Sequence, residues 1–196
     1  MELYDGRMEF LEDIGKACEA LYRGGVILYP TDTVWGIGCD ATDERAVRRV
    51  YALKKRADRQ AMLVLLDTEA KLNGFVNDVP DIAWDLIAVA DRPLTIIYPQ
   101  GKNLASGLLG EDGSVGIRIT NEAFSKQLCA RFRKPLVSTS ANISGQPTPA
   151  IYEEISEEVR NGVDYIVSYR RDDTTRHRPS GIIRIQADHS IQIIRH

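Results

Sequence analysis

The sequence predicts a single α/β domain, residues 1–196, built on a mixed sheet with flanking helices. Three observations predict it. Segments whose apolar residues recur every three or four positions are interleaved with short apolar runs of strand length. The interleaving is not a clean strand–helix–strand series, so the sheet is not purely parallel. The last two apolar runs, 181–186 and 191–195, lie too close for a crossover and must form an antiparallel hairpin.

Met8, Leu11, Ile14, Cys18 and Leu21 give the first helix, closed by Gly24-Gly25. Val26 to Tyr29 reads as a buried strand stopped by Pro30. Asp43 caps a second helix with Ala46, Val50 and Leu53 inward and Arg45, Arg48 and Arg49 outward. Met62 to Leu66 is a strand, 68–76 and 81–90 are helical, and Leu94 to Tyr98 is another strand. Ser114 to Ile119 is a strand, 122–133 a helix, and Leu136 to Ser138 a strand entering a polar loop. A helix near 151–160 and a strand at 163–168 precede the hairpin. Tyr169 to Pro179 carries six charged side chains without periodicity and reads as a mobile loop, a candidate lid.

Composition excludes several classes. With 25 Lys and Arg against 28 Asp and Glu, the net charge of −3 argues against nucleic-acid binding through bulk positive charge. Met1 to Asp5 lacks the start of a signal peptide, and no apolar run approaches the ~20 residues of a membrane span, so a soluble, cytoplasmic protein is expected. Cys18, Cys39 and Cys129 are widely spaced without C-x-x-C and read as buried hydrophobes rather than a disulfide frame or zinc site. The histidines all fall between His177 and His196, which argues against a His-rich metal centre.

Three stretches carry polar chemistry. Tyr29-Pro30-Thr31-Asp32-Thr33-Val34-Trp35-Gly36-Ile37-Gly38 joins a strand end to short hydroxyl side chains and glycines, which lets backbone approach a ligand. Within it Gly36 to Ala41 fits G-x-G-x-x-A, but six residues separate Gly36 from the strand end at Tyr29, and a dinucleotide site requires that glycine directly after the strand. Lys54-Lys55-Arg56 ends the second helix, inside a run from Arg45 to Arg59 with seven basic residues and one acid. It reads equally as cations complementing the helix dipole or as an anion site. Ser138-Thr139-Ser140-Ala141-Asn142-Ile143-Ser144-Gly145 sets hydroxyl donors at the end of a strand. Without a nearby base they are binders and not nucleophiles. By residue type alone, Arg118 and Arg195, each within a strand, read as solvated charges.

Taken together, these stretches resemble the YrdC family of threonylcarbamoyl-AMP synthases. Tyr29-Pro30-Thr31-Asp32-Thr33-x-Trp35-Gly36 is similar to its opening motif, Lys54-Lys55-Arg56 to its K-x-R, and Ser140-Ala141-Asn142 with Ser144-Gly145 to its S-x-N and S-G. The resemblance implies a single-domain member with a twisted mixed sheet around a concave, basic cavity. It implies a nucleotidyltransferase that makes threonylcarbamoyl-AMP and pyrophosphate from L-threonine, bicarbonate and ATP, with Mg²⁺, for a modified adenosine in tRNA. By position, Lys54 and Arg56 would act in catalysis and hold the ATP phosphates, with Ser140, Asn142, Thr148 and Arg195 along the nucleotide. Thr31, Arg118, Ser138 and Ser180 would line the threonine pocket, with no protein metal ligands. Proteins of the later tRNA threonylcarbamoyl transfer would be partners, and direct contact with tRNA or RNA is left open by the resemblance.

The chain departs from the family at Ala57, at Arg59-Gln60-Ala61-Met62 and at Asp91-Arg92-Pro93, and it has Trp35 where Tyr is common. These departures leave room for a divergent paralogue, and the basic run from Arg45 to Arg59 motivates a second reading, a non-catalytic RNA-binding protein using the same basic cavity.

Overall fold

The structure is a computed structural model that describes residues 2–55, 62–186 and 188–196. Helix α1 (Glu2–Tyr22) ends where Gly24 turns left-handed at φ 73° and the Gly25 N–H returns to the Ala20 carbonyl. Strand β1 (Ile27–Tyr29) leads through a turn into β2 (Gly36–Gly38), which pairs with it antiparallel. The end of the Tyr29–Gly38 stretch is therefore strand. Gly38 is needed for packing: a Cβ there would lie 2.6 Å from the Tyr29 ring and 2.8 Å from the Val137 carbonyl. No helix opens at Gly38, so Gly36 to Ala41 is no dinucleotide turn.

Asp43 caps α2 (Glu44–Leu53) as expected, accepting from the Arg45 and Ala46 N–H groups. Then come β3 (Leu63–Leu66), a 3₁₀ helix over Glu69–Gly74, α3 (Asp81–Val89), β4 (Leu94–Tyr98), β5 (Val115–Ile119), α4 (Ala123–Phe132) and β6 (Leu136–Ser140). The single helix expected near 151–160 is broken in two. A 3₁₀ turn over Tyr152–Glu154 ends at Ile155, and Ser156 starts α5 (Glu157–Asn161) by accepting from the Val159 N–H. Strand β7 (Tyr165–Ile166) is shorter than expected, and β8 (Gly181–Ile185) and β9 (Ile191–Arg195) form the antiparallel hairpin.

The described strands form one mixed sheet in the order β7-β1-β2-β6-β3-β5-β4-β8-β9. Pairs β1/β7, β3/β5 and β4/β8 are parallel and the others antiparallel. α1 and α4 pack on each other and against β1, β3 and β7, burying Ile14, Ala17, Leu21, Phe124, Leu128 and Phe132. At the middle of the sheet the two faces differ. Thr95, Ile97, Gly116 and Arg118 alternate onto one face, and Ile96, Tyr98, Ile117 and Ile119 onto the other. The first of these faces carries the site.

The cysteines are free and buried, as expected for small apolar side chains, and burial pushes the Cys39 and Cys129 thiols far up. The 169–179 segment lacks regular structure, as expected, but its start is tied down. Asp13 of α1 accepts from the Ser168 and Tyr169 N–H groups at 2.8 Å each, and the Tyr169 ring packs 4.9 Å from Phe10 and 5.7 Å from Phe124.

Candidate active site

A cavity of about 770 Å³ lies over the face that carries Arg118. Two cross-strand rows make its floor. Arg118, Thr95, Ile182 and Arg195 are successive neighbours across β5, β4, β8 and β9. One step along the strands, Gly116, Ile97 and Arg184 form the next row. Ser138 pairs with Leu63 on the other side of the cavity, with Thr139, Ser140 and Thr148 beyond it on the wall.

Arg118 is buried, with 3% of its side chain exposed, against its reading by residue type as a solvated charge. Its Nη2 lies 3.0 Å from Asp32 Oδ1 and donates to Thr33 Oγ1 at 3.4 Å, while its Nε is buried without an acceptor. Burial pushes the Asp32 carboxyl above its ordinary range, and the Arg118 charge opposes that push. Arg195 donates from Nε to the Ser180 carbonyl at 2.9 Å and from Nη2 to Ser180 Oγ at 3.4 Å. Burial, and then the charge of Arg118, pull the Arg195 guanidinium below its ordinary value. The Ser180 hydroxyl also meets Thr95 Oγ1 at 3.0 Å. At the mouth, Arg184 pairs with Asp112 at 2.8 Å, and hydrogen bonds from Ser114, then from Arg184, hold the Asp112 carboxyl down at about 2.

The expected site residues divide into three groups. Arg118, Ser138, Ser140, Thr148, Ser180 and Arg195 line the cavity together. Arg195, expected beside the nucleotide, stands in the row of Arg118, because the β8/β9 register pairs it with Ile182. Thr31, Lys54 and Asn142 stand behind the wall. The Thr31 hydroxyl turns inward, donates to the Val34 carbonyl at 2.8 Å and accepts from the Thr33 N–H at 3.1 Å. The turn so formed presents Thr33, not Thr31, to the cavity. Arg56 lies outside the described residues, as do Ala57 to Ala61.

Lys54 occupies the C-cap of α2, buried at 3% exposure, and its ammonium donates to the Ser140 carbonyl at 2.6 Å and the Asn142 carbonyl at 2.8 Å. Its own carbonyl accepts from the Ser144 N–H at 2.9 Å. The basic end of α2 thus staples the hydroxyl-rich loop after β6 from both ends of one residue. Asn142 closes the same loop by donating to the Ile143 and Gln146 carbonyls at 3.0 and 2.8 Å.

A family model described as "Telomere recombination", that of the Sua5, YciO and YrdC proteins, matches residues 19–196. The threonylcarbamoyl-AMP synthase of Vibrio cholerae is 32% identical over 191 residues, 96% of this chain and 99% of its own length. The chain belongs to this family. The protein of the same description from Pseudoalteromonas translucida is 36% identical over 157 residues, 79% of this chain and 84% of its own length. Among solved structures, E. coli YciO superposes with a TM-score of 0.80 at 24% identity, covering 93% of this chain and 88% of that one. P. abyssi Sua5 complexed with L-threonine superposes with a TM-score of 0.76 at 24% identity, covering 87% of this chain and 50% of that one. At these identities the two structures speak for the fold alone.

In this member of the Sua5, YciO and YrdC family, residue-by-residue reading missed Asp32, Thr33, Thr95 and Arg184. Thr95 was within reach, since it falls opposite Arg118 once β4 and β5 are aligned. Arg184 follows Ile182 by two positions on β8 and so shares its face. Asp32 stood in a quoted motif, but nothing local says that it pairs with a residue on β5.

Proposed function

We propose that this chain makes threonylcarbamoyl-AMP for tRNA modification from L-threonine, bicarbonate and ATP, with release of pyrophosphate. The observation that carries the reading is the pairing, in one cavity, of a buried arginine at one end with a stapled hydroxyl loop at the other. A buried guanidinium suits an amino-acid carboxylate, which it can meet with more than one N–H. Thr33, Ser138 and Ser180 surround that end with hydroxyl groups for the remainder of a small zwitterion. Ser140 and Thr148 line the other end, which is read as the nucleotide's.

The chemistry needs no protein nucleophile. The threonine amine adds to the bicarbonate carbon, and water leaves to give a carbamate. A carbamate oxygen then attacks the α-phosphorus in line, the bond to the β-phosphate oxygen breaks, and pyrophosphate departs with the electron pair. The protein's part is to hold the reactants in line and to offset the negative charge. Lys54 contributes by fixing the loop that carries Ser140, and Arg56, by the family resemblance, by holding phosphate. Among the described residues no three carboxylate, histidine or cysteine side chains converge on a cation site. By the family resemblance, Mg²⁺ is read as arriving on ATP, with phosphate and water as its main ligands, which suits its preferences.

Two features weigh against the non-catalytic RNA-binding reading. Within the basic run, Arg49 pairs with Asp164 at 2.9 Å and Lys55 with Glu158 at 2.6 Å, which lowers the charge on offer to a phosphate backbone. The cavity also ends in a buried cation suited to a small ligand. No helix among the described residues is long and apolar enough to cross a membrane. The partners read from the chemistry are small molecules, with proteins of the later tRNA transfer step taking the product.

The test is release of pyrophosphate from ATP. It is expected only when L-threonine and bicarbonate are both present. Release without threonine, or none from well-folded protein, would contradict the reading.

A further inference from the structure

Arg118 lines the large cavity, but its counter-ion does not. Asp32 lines a second cleft of about 340 Å³ at the other face of the sheet, with Ile96, Ile117 and Ile119. The ion pair therefore runs from one face toward the other, cation in the cavity wall and carboxylate behind it. We infer that Asp32 is a positioning residue that sets the direction and net charge of Arg118 for the carboxylate of the amino-acid substrate. This rests on the function proposed above and deepens it.

The manner of pairing is the first support. An arginine and a carboxylate joined for stability alone are best met fork to fork, through two parallel hydrogen bonds. Here the described contact is through Nη2 alone; Asp32 Oδ1 stands 3.0 Å away without an aligned hydrogen bond, and Nε is buried without an acceptor. The cation is neutralised but not saturated, which leaves donor capacity for a second anion.

Local rigidity is the second. Thr33 Oγ1 accepts from the same Nη2, and Thr33 is itself held by the hydroxyl of Thr31. Two consecutive residues of the β1–β2 turn thus take hold of one tip of the guanidinium. Arg170 braces the turn from outside by donating to the Thr31 carbonyl at 3.2 Å.

Charge is the third. Arg118 and Arg195 stand in one cross-strand row, close enough for Arg195 to feel the charge of Arg118. With Asp32 the three groups carry a single positive charge in excess, matched to one carboxylate. Without it the same end would carry two, and Arg118 would keep its burial while losing its charged partner.

Asp32→Asn keeps the side chain's shape and removes its charge. The expected result is a rise of about tenfold or more in the KM for L-threonine, with the KM for ATP held within about twofold. In an Arg118→Ala background the same change should add nothing to the threonine defect, because Asp32 acts through Arg118. Asp32→Glu, which restores the charge, should recover part of the loss, and it serves if the asparagine variant fails to fold by thermal melting. An unchanged threonine KM, an equal rise in the ATP KM, or additive losses in the double variant would overturn the inference. Those results require an enzyme that makes the product; absence of threonine-dependent pyrophosphate release in the parent protein would instead overturn the proposed function.

Discussion

Alanine in place of Arg118 should raise the KM for L-threonine by roughly thirtyfold or more while the KM for ATP changes little. Losing one partner of a desolvated charge pair costs about 2–5 kcal/mol, and that range sets the size of the effect. The same variant should lose stability, because Asp32 is left buried without the cation 3.0 Å away. Its pH dependence has a definite sign. Burial already raises the Asp32 carboxyl, and Arg118 is the charge that opposes the rise. Without Arg118 the folded-state value climbs further above the unfolded one, so the carboxyl is neutral in both states only at low pH. The stability deficit against the parent should therefore shrink as pH falls through the carboxylate range and grow above it. Steady-state kinetics with each substrate varied, and denaturant melts at acid and neutral pH, check the two parts. Equal losses for threonine and ATP would mean that the two ends of the cavity are not divided as described.

Methionine in place of Lys54 should do the reverse. The ammonium holds the Ser140 and Asn142 carbonyls, and hydrogen bonds to charged groups are worth about 1.5–3 kcal/mol each. Loss of the staple should lower stability by roughly 3 kcal/mol and raise the KM for ATP well above that for threonine. The nucleotide effect comes through the loop that Lys54 holds. A variant with normal stability and a purely kinetic ATP defect would show instead that the ammonium leaves the carbonyls to meet phosphate.

Much of this was legible from residues because it depends on local rules. The Asp43 cap, the Gly24 stop and the closing hairpin follow from capping and turn chemistry within a few positions. Strand β2 was not legible, since Gly36-Ile37-Gly38 has little strand propensity and is held by pairing with β1 and β6. The T-D-T run marked a site without saying which threonine faces it; a hydrogen bond to Val34 decides that Thr31 turns away. Arg118 shows the limit most clearly. Alternation on a strand says that a residue takes one of two faces, not which of them is buried. Only the family resemblance pointed to an anion-binding role, and only the tertiary register reveals Asp32 beneath it and Arg195 in its row.

A crystal structure of the chain with L-threonine and a non-hydrolysable ATP analogue is the most direct test of a single cavity serving both substrates. The expected density places the amino-acid carboxylate on the Arg118 guanidinium, near Thr33, Ser138 and Ser180, and the nucleotide along Ser140 and Thr148. Threonine bound away from Arg118, or a nucleotide in the cleft beneath the sheet, would contradict the account.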